Sequence, residues 1–421
     1  MENSQWIESA VEKFRKCCEQ MQDELDKAAD GSLLDVADEQ IFEKFHPLIR
    51  EVQQQAIQKH VERKQKRADY RRCGNCKKKM RHKGTKSFEF ITRTGNIQLR
   101  GIYYHCGCSS KSVADIVSDG RKFSRQACEL TSRYAASNSY QQASKYLRKD
   151  FGIWVSHEML RKRVLAVSGQ IKDIRDNDQG EHCWENIEGK RLYGYADGVL
   201  INIRKEGWKE CKLLRYECEG LELVRHRGIL GPIERFGRMT RRETIHIGAK
   251  RCDEIVLLMD GAEGFHQHLK KNLPTARQIV DYWHGCQHIA ECAENLYPDS
   301  EKKASAWRSG YCHMLRQYGA GVVIGHLYKS RARLKGRKKI EAADKLLQFL
   351  LSRAERMDYR RLIEEGYRID SGPIESSCKN VVQGRLKGCG MRWSRKGASA
   401  MLEVRCALMS DLWEDVIQKC A

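Results

Sequence analysis

The sequence predicts an α/β fold, with strands and helices alternating in the middle of the chain and mainly helical regions around it. Strand-like apolar stretches begin at Arg191 and alternate with helical stretches to about residue 285, and such alternation implies a sheet covered by helices. Before and after this region, apolar residues recur at helical spacing. The length of 421 residues allows roughly two to four domains.

The first region, 1–72, is predicted to be helical. Apolar residues recur at helical spacing around Trp6 and Phe14, and again over 42–52. The second of these helices runs into a basic stretch over 64–72. This region carries no candidate catalytic residue.

The second region, 73–125, is predicted to be a zinc-ribbon-like hairpin. Strand-like alternation lies on both sides of Thr94-Gly95-Asn96, which is a turn signal. A Cys-x-x-Cys pair precedes the hairpin and a Cys-x-Cys pair follows it, so four thiolates can converge as a tetrahedral zinc site requires. The candidate zinc ligands are Cys73, Cys76, Cys106 and Cys108. Two alternatives stay open: His82 or His105 replaces a ligand of the shorter pair, or the four cysteines are reduced and bind no metal.

The third region, 126–184, is predicted to contain a helix-turn-helix. Gly152 can end one helix, and Ser156 can cap the next. The second helix carries three consecutive basic residues, and in a helix-turn-helix this helix enters the major groove of DNA. These candidate DNA-binding residues are Arg161, Lys162 and Arg163. A helical hairpin without a DNA-binding function has the same pattern.

The fourth region, 185–285, is predicted to hold the sheet. Four stretches have the pattern of strands, namely RLYGYADGVLINIR, KECKLLRYECEG, ETIHIG and EIVLLMDGA. A helix follows over about Phe265–Lys271, and ARQIVDYWH is predicted to be a short strand that runs into another helix. The last two regions, 286–364 and 365–421, are predicted to be helical. The former has a strongly basic segment at 331–339, and the latter is broken by glycines at 384, 388, 390 and 397.

The charge of the chain favours a polyanionic partner. Lys and Arg number 77 against 56 for Asp and Glu, a formal net charge of +21, and neutralising phosphates releases condensed counterions. No apolar run approaches the ~20 residues needed to span a bilayer, and the polar N-terminus lacks the apolar stretch of a secretory signal. We therefore predict a cytoplasmic protein with no membrane association. In that compartment the 18 cysteines indicate metal binding or burial rather than disulfides.

Two apolar strands each end in Asp-Gly, at Asp197 and Asp260. Adjacent strands can place two carboxylates side by side, and paired carboxylates suit Mg²⁺. Glu375, in Ser-Gly-Pro-Ile-Glu, can complete a two-metal site. The alternatives are that Asp-Gly is turn chemistry at a strand end and that Glu375 only complements the dipole of a helix that begins near Pro373.

From the cysteine hairpin onward, the chain resembles the insertion-sequence transposases of the ISKra type, a group of DDE transposases. The resemblance rests on YADG, LLMDGAEGF, DYWH, GPIES and GMRWSRKGASAML, of which the last two are the most specific. It implies an RNase H-like core over 185–285 and 365–421, interrupted by a helical insertion over 286–364. It also implies that Asp197, Asp260 and Glu375 form a catalytic triad that holds two Mg²⁺ or Mn²⁺ ions. The Cys106-x-Cys108 pair departs from the family pattern.

The resemblance also directs attention to residues beside the triad. In related families a Cys- or Asp-x-x-His motif follows the second Asp, and here it is Asp281-Tyr-Trp-His284. His284 then contacts the scissile phosphate or steadies the site; otherwise the motif is a buried, hydrogen-bonded helix start. Basic residues close behind Glu375 are predicted to hold backbone phosphates, unless they form a solvated face. They are Arg385, Lys387, Arg392, Arg395 and Lys396, with Trp393 among them.

The activity that the resemblance implies is DNA strand cleavage and strand transfer at the ends of an insertion sequence. The partners would be the terminal inverted repeats and the target DNA, bound by a homodimer or larger assembly in a bacterial, nucleoid-associated setting. Two other functions stay open. One is a domesticated, non-catalytic DNA-binding regulator, and the other is a structure-specific nuclease with the same fold.

Overall fold

The computed structural model describes residues 2–178 and 182–419. They divide into two compact units, one formed by 1–164 with 417–421 and the other by 165–416. The finer division predicted from the sequence stays a prediction. In the described part of the chain, no helix combines the length and apolar character needed to cross a membrane.

The first unit is mainly helical and contains a small sheet, as the sequence predicts. A π-helical turn, Ile41–Phe45, joins its second and third helices. Its elements are α1 (Glu2–Lys27), α2 (Leu33–Gln40), α3 (His46–Lys66), β1 (Arg81–Thr92), β2 (Gly95–Cys106), β3 (Ser109–Lys111), α4 (Val113–Val117), α5 (Arg125–Ser137), α6 (Tyr140–Phe151) and α7 (His157–Asp176), the last of which continues into the second unit.

The predicted hairpin is confirmed as the antiparallel pair β1–β2, with Thr92 opposite Gly95. Gly95 has φ 118°, a conformation that favours glycine. On the side of β2 away from β1, strand β3 pairs only with the end of β2. Among the described residues, the rest of that side has no neighbouring strand. Glutamines of α3 take that place: the Gln58 amide accepts from the N–H of Arg100 and donates to its carbonyl. Helix α3 thereby fixes the hairpin that carries the cysteines.

The second unit is an α/β unit. Its elements are β4 (Arg191–Ile203), β5 (Gly207–Cys218), β6 (Val224–Ile229), α8 (Ile233–Ile247), β7 (Glu254–Met259), α9 (Glu263–Asn272), β8 (Arg277–Val280), α10 (Tyr282–Leu296), α11 (Glu301–Arg331), α12 (Arg337–Leu351), α13 (Tyr359–Glu364), α14 (Gly372–Ser377), α15 (Gly384–Leu386) and α16 (Arg395–Leu408), followed by α17 (Trp413–Lys419).

A five-stranded sheet organises this unit, in the order β6-β5-β4-β7-β8. Strands β4, β5 and β6 form an antiparallel meander, whereas β7 and β8 run parallel to β4. Phe236 of α8 and Leu269 of α9 join Leu214 and Leu257 of the sheet in one buried cluster. The stretch predicted to be helical, 286–364, is confirmed as helical from α10 to α13.

One predicted strand is wrong and one strand was missed. ETIHIG is the end of α8, whose buried residues Phe236, Thr240 and Ile247 recur at helical spacing. The six residues alone alternate between polar and apolar, and this stretch is too short to show the helical spacing. Strand β6, VRHRGI, was missed because it reads as charged. Its Arg225 and His226 are buried through ion pairs and hydrogen bonds, which an apolar pattern cannot indicate.

The glycines in the last region have two different roles. Gly384 and Gly397 lie within α15 and α16, so the prediction that they break helices is wrong. Gly388 and Gly390 lie in the connection between these helices, and Gly390 has φ 69°. The π-helical segment Cys378–Gln383 continues α14 into α15, so the backbone stays helical through Gly384.

Candidate active site and metal centre

Asp197 and Asp260 are neighbours at one edge of two parallel strands. Ala196 of β4 pairs with Met259 of β7, and each aspartate is the next residue in the chain. Asp260 directly follows β7 as predicted, but β4 continues through Asp197 to Ile203, so the prediction that this strand ends at Asp-Gly is wrong. Adjacent strands are about 4.8 Å apart, so the backbone places the two aspartates side by side. The Asp260 carboxylate accepts a hydrogen bond from the Ala262 N–H at 2.8 Å, which also supports the turn role weighed for Asp-Gly.

Glu375 is exposed on α14, and the segment before this helix is tied to the sheet. The N–H of Ser371 donates to the buried Asp281 carboxylate at 2.5 Å. The N–H of Tyr282 donates to the carbonyl of Ile369 at 2.9 Å. These bonds join the approach to α14 to the end of β8, and α14 itself packs on β4 and β5. Glu375 therefore reaches the sheet from a helix that is held at its start.

A buried hydrogen-bond chain holds the other end of α14. The carbonyl of Met409 can only accept, so His226 Nδ1 at 2.8 Å carries the proton in the neutral ring. Nε2 of His226 lies 2.9 Å from the Ser377 hydroxyl, whose one proton can go either to Nε2 or to the Pro373 carbonyl, also at 2.9 Å. The hydroxyl oxygen accepts from Arg215 at 3.2 Å. Strands β5 and β6 thus position a residue two places beyond Glu375. The sequence around Ser377 gives no sign that this residue contacts His226 and Arg215.

The buried His226 should make stability pH-dependent. Burial, with the Arg215 charge next in size, lowers its pKa to about 4, whereas the unfolded side chain titrates near 6.5. Between these values the unfolded chain binds more protons than the folded one, so this contribution is complete above about pH 6.5 and is lost as the pH falls to 4. The loss should be on the order of 3 kcal/mol. Urea unfolding of the wild type and His226→Gln from pH 7.5 to 4.5 measures it; equal pH slopes for both proteins would contradict the assignment.

The negative charges of Asp260 and Glu375 act on the Asp197 carboxylate. Burial raises the pKa of Asp197, and the negative charges of Asp260 and Glu375 raise it further. The N–H of Gly198 at 2.6 Å and the thiol of Cys378 at 3.4 Å donate to the two Asp197 oxygens and partly offset the shift. Three acceptor groups that repel one another favour a bound cation. The contact between Cys378 and Asp197 was not predicted, because a single cysteine near Glu375 in the sequence indicates an ordinary buried side chain.

The carboxylates are more widely spread than the ligands of a single ion. Among the described residues, the one group of at least three potential metal ligands whose donor atoms all lie within 4.8 Å of one another is formed by the four hairpin cysteines. A pair of ions roughly 3.5–4 Å apart needs ligands spread over a wider span. The carboxylates of Asp197, Asp260 and Glu375 do not meet that 4.8 Å criterion, so a metal site among them stays a prediction.

The four predicted zinc ligands, Cys73, Cys76, Cys106 and Cys108, converge at the open end of the hairpin. Cys108 Sγ lies 3.4 Å from the sulfurs of both Cys73 and Cys106. The N–H groups of Asn75 and Cys76 point at Cys73 Sγ from 3.4 and 3.5 Å. Neither predicted substitute ligand, His82 or His105, belongs to this group. The cluster could hold a metal ion.

Hydrogen bonds favour the thiolate form at two of these cysteines. The Ser109 hydroxyl and then the Cys76 N–H lower the pKa of Cys73 to about 5. The N–H of Cys108 is the main cause of the lowered pKa of Cys106. The thiols of Cys106 and Cys73 act in the opposite direction on Cys108 and raise its pKa to about 12. Thiolates are the metal-binding form of cysteine, so Cys73 and Cys106 are the two members prepared for a cation.

The predicted helical hairpin is confirmed in its local structure. Gly152 ends α6 in the left-handed conformation, with φ 61°, and the Ser156 hydroxyl accepts from the Met159 N–H at 3.1 Å before α7. Of the basic residues on α7, Arg161 forms two hydrogen bonds with the carboxylate of Glu158 in the preceding turn. Lys162 is exposed, whereas Arg163 lies 5.3 Å from the Phe123 ring. DNA binding by this helix stays a prediction.

The structure corrects the interpretation of one residue behind Glu375. Arg385 is only 3% exposed, and its guanidinium lies 4.8 Å from the ring centre of Trp393, so it packs the connection before α16. Trp393 donates from its indole to the Leu386 carbonyl at 3.1 Å and is half-buried, and its contact with DNA stays a prediction. The exposed basic residues of the set are Lys387, Arg392, Arg395 and Lys396; of these, Arg395 pairs with Glu206.

The Asp281-x-x-His284 motif starts α10. Asp281 is buried, caps the helix by accepting from the His284 N–H at 2.6 Å, and also holds Ser371. The ring of His284 lies 4.9 Å from that of His288, and its Nδ1 lies 3.1 Å from the Gln287 amide oxygen. The hydrogen-bonded helix start is thus present. The described contacts of the His284 side chain join it to its own helix and to α12 rather than to the three carboxylates.

Comparison with known proteins adds little to this geometry. No family model matches the chain, and no curated protein matches it. A solved structure described as the Drosophila P element transposase strand transfer complex is similar at 9% sequence identity and a TM-score of 0.27. The similarity covers 73% of this chain and 84% of that one. At this TM-score the similarity does not establish a common fold.

Proposed function

We propose that this protein is a DDE transposase, which cleaves DNA at the ends of an insertion sequence and joins the freed strand to target DNA. The observation that carries the proposal is that Asp197 in β4 and Asp260 just after the adjacent β7 lie beside α14, which carries Glu375 and packs on β4 and β5. Three clustered carboxylates in a chain with a net charge of +21 are suited to bind divalent cations beside a polyanion.

The strand order supports an RNase H-like core. The first three strands of the sheet form an antiparallel meander and the next two lie parallel to the first, in the spatial order third-second-first-fourth-fifth. That arrangement is the one expected of an RNase H-like sheet. The helices α10–α13 lie in the chain between Asp260 and Glu375, where the resemblance of the sequence places an insertion.

Asp197, Asp260 and Glu375 would hold two Mg²⁺ or Mn²⁺ ions. When bound, such ions activate the attacking oxygen and stabilise the leaving oxygen of a phosphoryl transfer. The donors on Asp197 orient its carboxylate, and the anchors at Ser371 and Ser377 hold Glu375 towards it. Water would attack phosphorus while the bond to the 3′ oxygen breaks, and the resulting 3′-hydroxyl would attack phosphorus of the target strand with loss of its 3′ oxygen.

Strand cleavage and joining can be tested on duplexes that contain the DNA flanking the gene. With Mg²⁺, we expect a nick that leaves a 3′-hydroxyl, followed by covalent joining to a second duplex. Cleavage without joining would instead identify a structure-specific nuclease, and binding without cleavage would identify a non-catalytic regulator. Size measurement of the protein–DNA complex would test the proposed homodimer or larger assembly.

The cysteine cluster is proposed to hold one structural Zn²⁺. Four thiolates in a hairpin suit a closed tetrahedral site. We expect about one zinc ion per chain by metal analysis of protein purified without chelators, and loss of that zinc in the double variant Cys73→Ser, Cys76→Ser. The matched change Cys17→Ser, Cys18→Ser on α1 should keep the zinc. Wild-type protein without zinc would exclude the site.

A further inference from the structure

A cavity of about 540 Å³, open to solvent on one side, lies between helix α9, strand β8 and the segment that follows α12. Its charged and polar lining residues include His266, Lys270, Gln278, Arg353, Glu355 and Arg356. Three of these carry a permanent positive charge and one carries a negative charge, so the cavity suits an anion.

Nη2 of Arg356 donates to the Ser352 carbonyl at 3.1 Å and pairs with the Glu263 carboxylate, which leaves Nη1 as the donor available to a ligand. The Arg356 side chain is 11% exposed, and among the described residues no hydrogen bond reaches its Nη1. Its nearest carboxylate oxygen, on Glu263, is 3.7 Å away. Burial lowers its pKa, yet a guanidinium stays charged in proteins. A buried cation with an unused donor has a large desolvation cost unless an anion accepts from it.

Arg353 connects this cavity to the proposed active site. Its Nε donates to the carbonyl of Gly261 at 2.7 Å, and Gly261 follows Asp260 directly. The Arg353 charge also disfavours the charged form of Arg356, and a shared anion would relieve that repulsion. Lys270 reaches the same cavity from the exposed side of α9.

We propose that this cavity binds a backbone phosphate of the DNA strand that enters the carboxylate site. The inference rests on the proposed function. Arginine donors match the oxygens of a phosphate, and a phosphate held beside Gly261 would fix the strand relative to Asp260. The cavity is therefore assigned to DNA positioning, whereas the carboxylates are assigned to chemistry.

Salt dependence of DNA binding tests the assignment without any cleavage. Binding of a fluorescent duplex is measured by anisotropy without added Mg²⁺, Mn²⁺ or chelator at several salt concentrations, with wild type, Lys270→Gln and Arg356→Lys. Each lost phosphate contact lowers the slope of log affinity against log salt by about 0.9. We expect that reduction for Lys270→Gln. Arg356→Lys keeps the charge but loses the planar donors, so we expect weaker binding with a smaller change in slope.

Lys271→Gln is the matched control, because Lys271 is the next residue on α9 and does not line the cavity. If the salt slope of Lys271→Gln equals that of Lys270→Gln, the proposal is overturned. Both lysines would then act only through the net positive charge of the protein. Thermal unfolding with inorganic phosphate, against chloride at equal ionic strength, tests for a free anion. Phosphate could stabilise wild type but not Lys270→Gln while the two proteins have the same salt slope for DNA binding. The cavity would then bind a free anion, and its assignment to a DNA phosphate would be overturned.

The two proposals can fail separately. The binding assay contains no added Mg²⁺ or Mn²⁺, so a normal slope reduction in a protein that never cleaves DNA would leave the phosphate site standing and refute the enzyme. Cleavage by wild type with no slope difference between Lys270→Gln and wild type would refute the phosphate site and leave the enzyme standing.

Discussion

Replacing Asp197 by Asn is expected to lower the rate of strand cleavage by roughly three orders of magnitude or more while DNA binding survives. Loss of a metal ligand removes several kcal/mol of transition-state stabilisation, and each 1.36 kcal/mol is tenfold in rate. Asp260→Asn and Glu375→Gln should have effects of the same order, because each removes one carboxylate of the set. Binding should be unchanged or tighter in each variant, since a negative charge near the phosphates is lost.

The measurement compares these variants with wild type on the element's own ends, under single-turnover conditions. Asp253→Asn is the matched control, because Asp253 is exposed and precedes β7 at the end opposite Asp260. Mn²⁺ should replace Mg²⁺, whereas Ca²⁺ should support binding but little chemistry because its coordination is looser. If Glu375→Gln cleaves at the wild-type rate, Glu375 is only a residue at the start of a helix, and the triad is wrong.

The sequence predicted the elements with a clear period. Strands β4, β5 and β7 were visible because their apolar residues form long strand-like runs, and the parallel register then brings Asp197 and Asp260 together. Glu375 could be joined to them only through the resemblance of the motifs. The spacing of apolar residues does not show which helix packs on a sheet that is distant in the chain. The anchors at Asp281, Ser371 and Ser377 are therefore visible only in the structure.

Where the sequence prediction failed, buried charge is the usual reason. Strand β6 was missed because Arg225 and Arg227 read as exposed, although their side chains are only 1% and 14% exposed. Arg385 was assigned to DNA for the same reason, and it packs on Trp393. A sequence gives the charge of a side chain but not its partners, and the partners determine whether burial is tolerated.

The second large effect is expected at Glu243, which lies between the two arginines of β6. Its side chain is 3% exposed and lies 3.2 Å from Arg225 and 3.0 Å from Arg227. Burial alone would raise the pKa of Glu243, but the guanidinium groups of Arg227, Arg175 and Arg225 outweigh it and hold the pKa below its ordinary value. Glu243 is therefore the ionised centre of a buried network.

Glu243→Gln should lower the free energy of unfolding by about 3–5 kcal/mol, because it leaves buried guanidinium groups without their counter-charge. Urea unfolding with an unchanged m-value is the measurement. Glu234→Gln is the matched control. Glu234 lies on the same helix, is 55% exposed, and among the described residues pairs with His268 at 3.7 Å, so the effect should stay below about 0.5 kcal/mol. The network also reaches α16, since Arg227 pairs with Glu403 at 2.7 Å, and α16 packs on β6. Weakening it should therefore loosen the helical segment that follows Glu375. Equal stability of the Glu243 and Glu234 variants would mean that water or rearranged partners satisfy the arginines, and that the network does not hold this edge of the sheet.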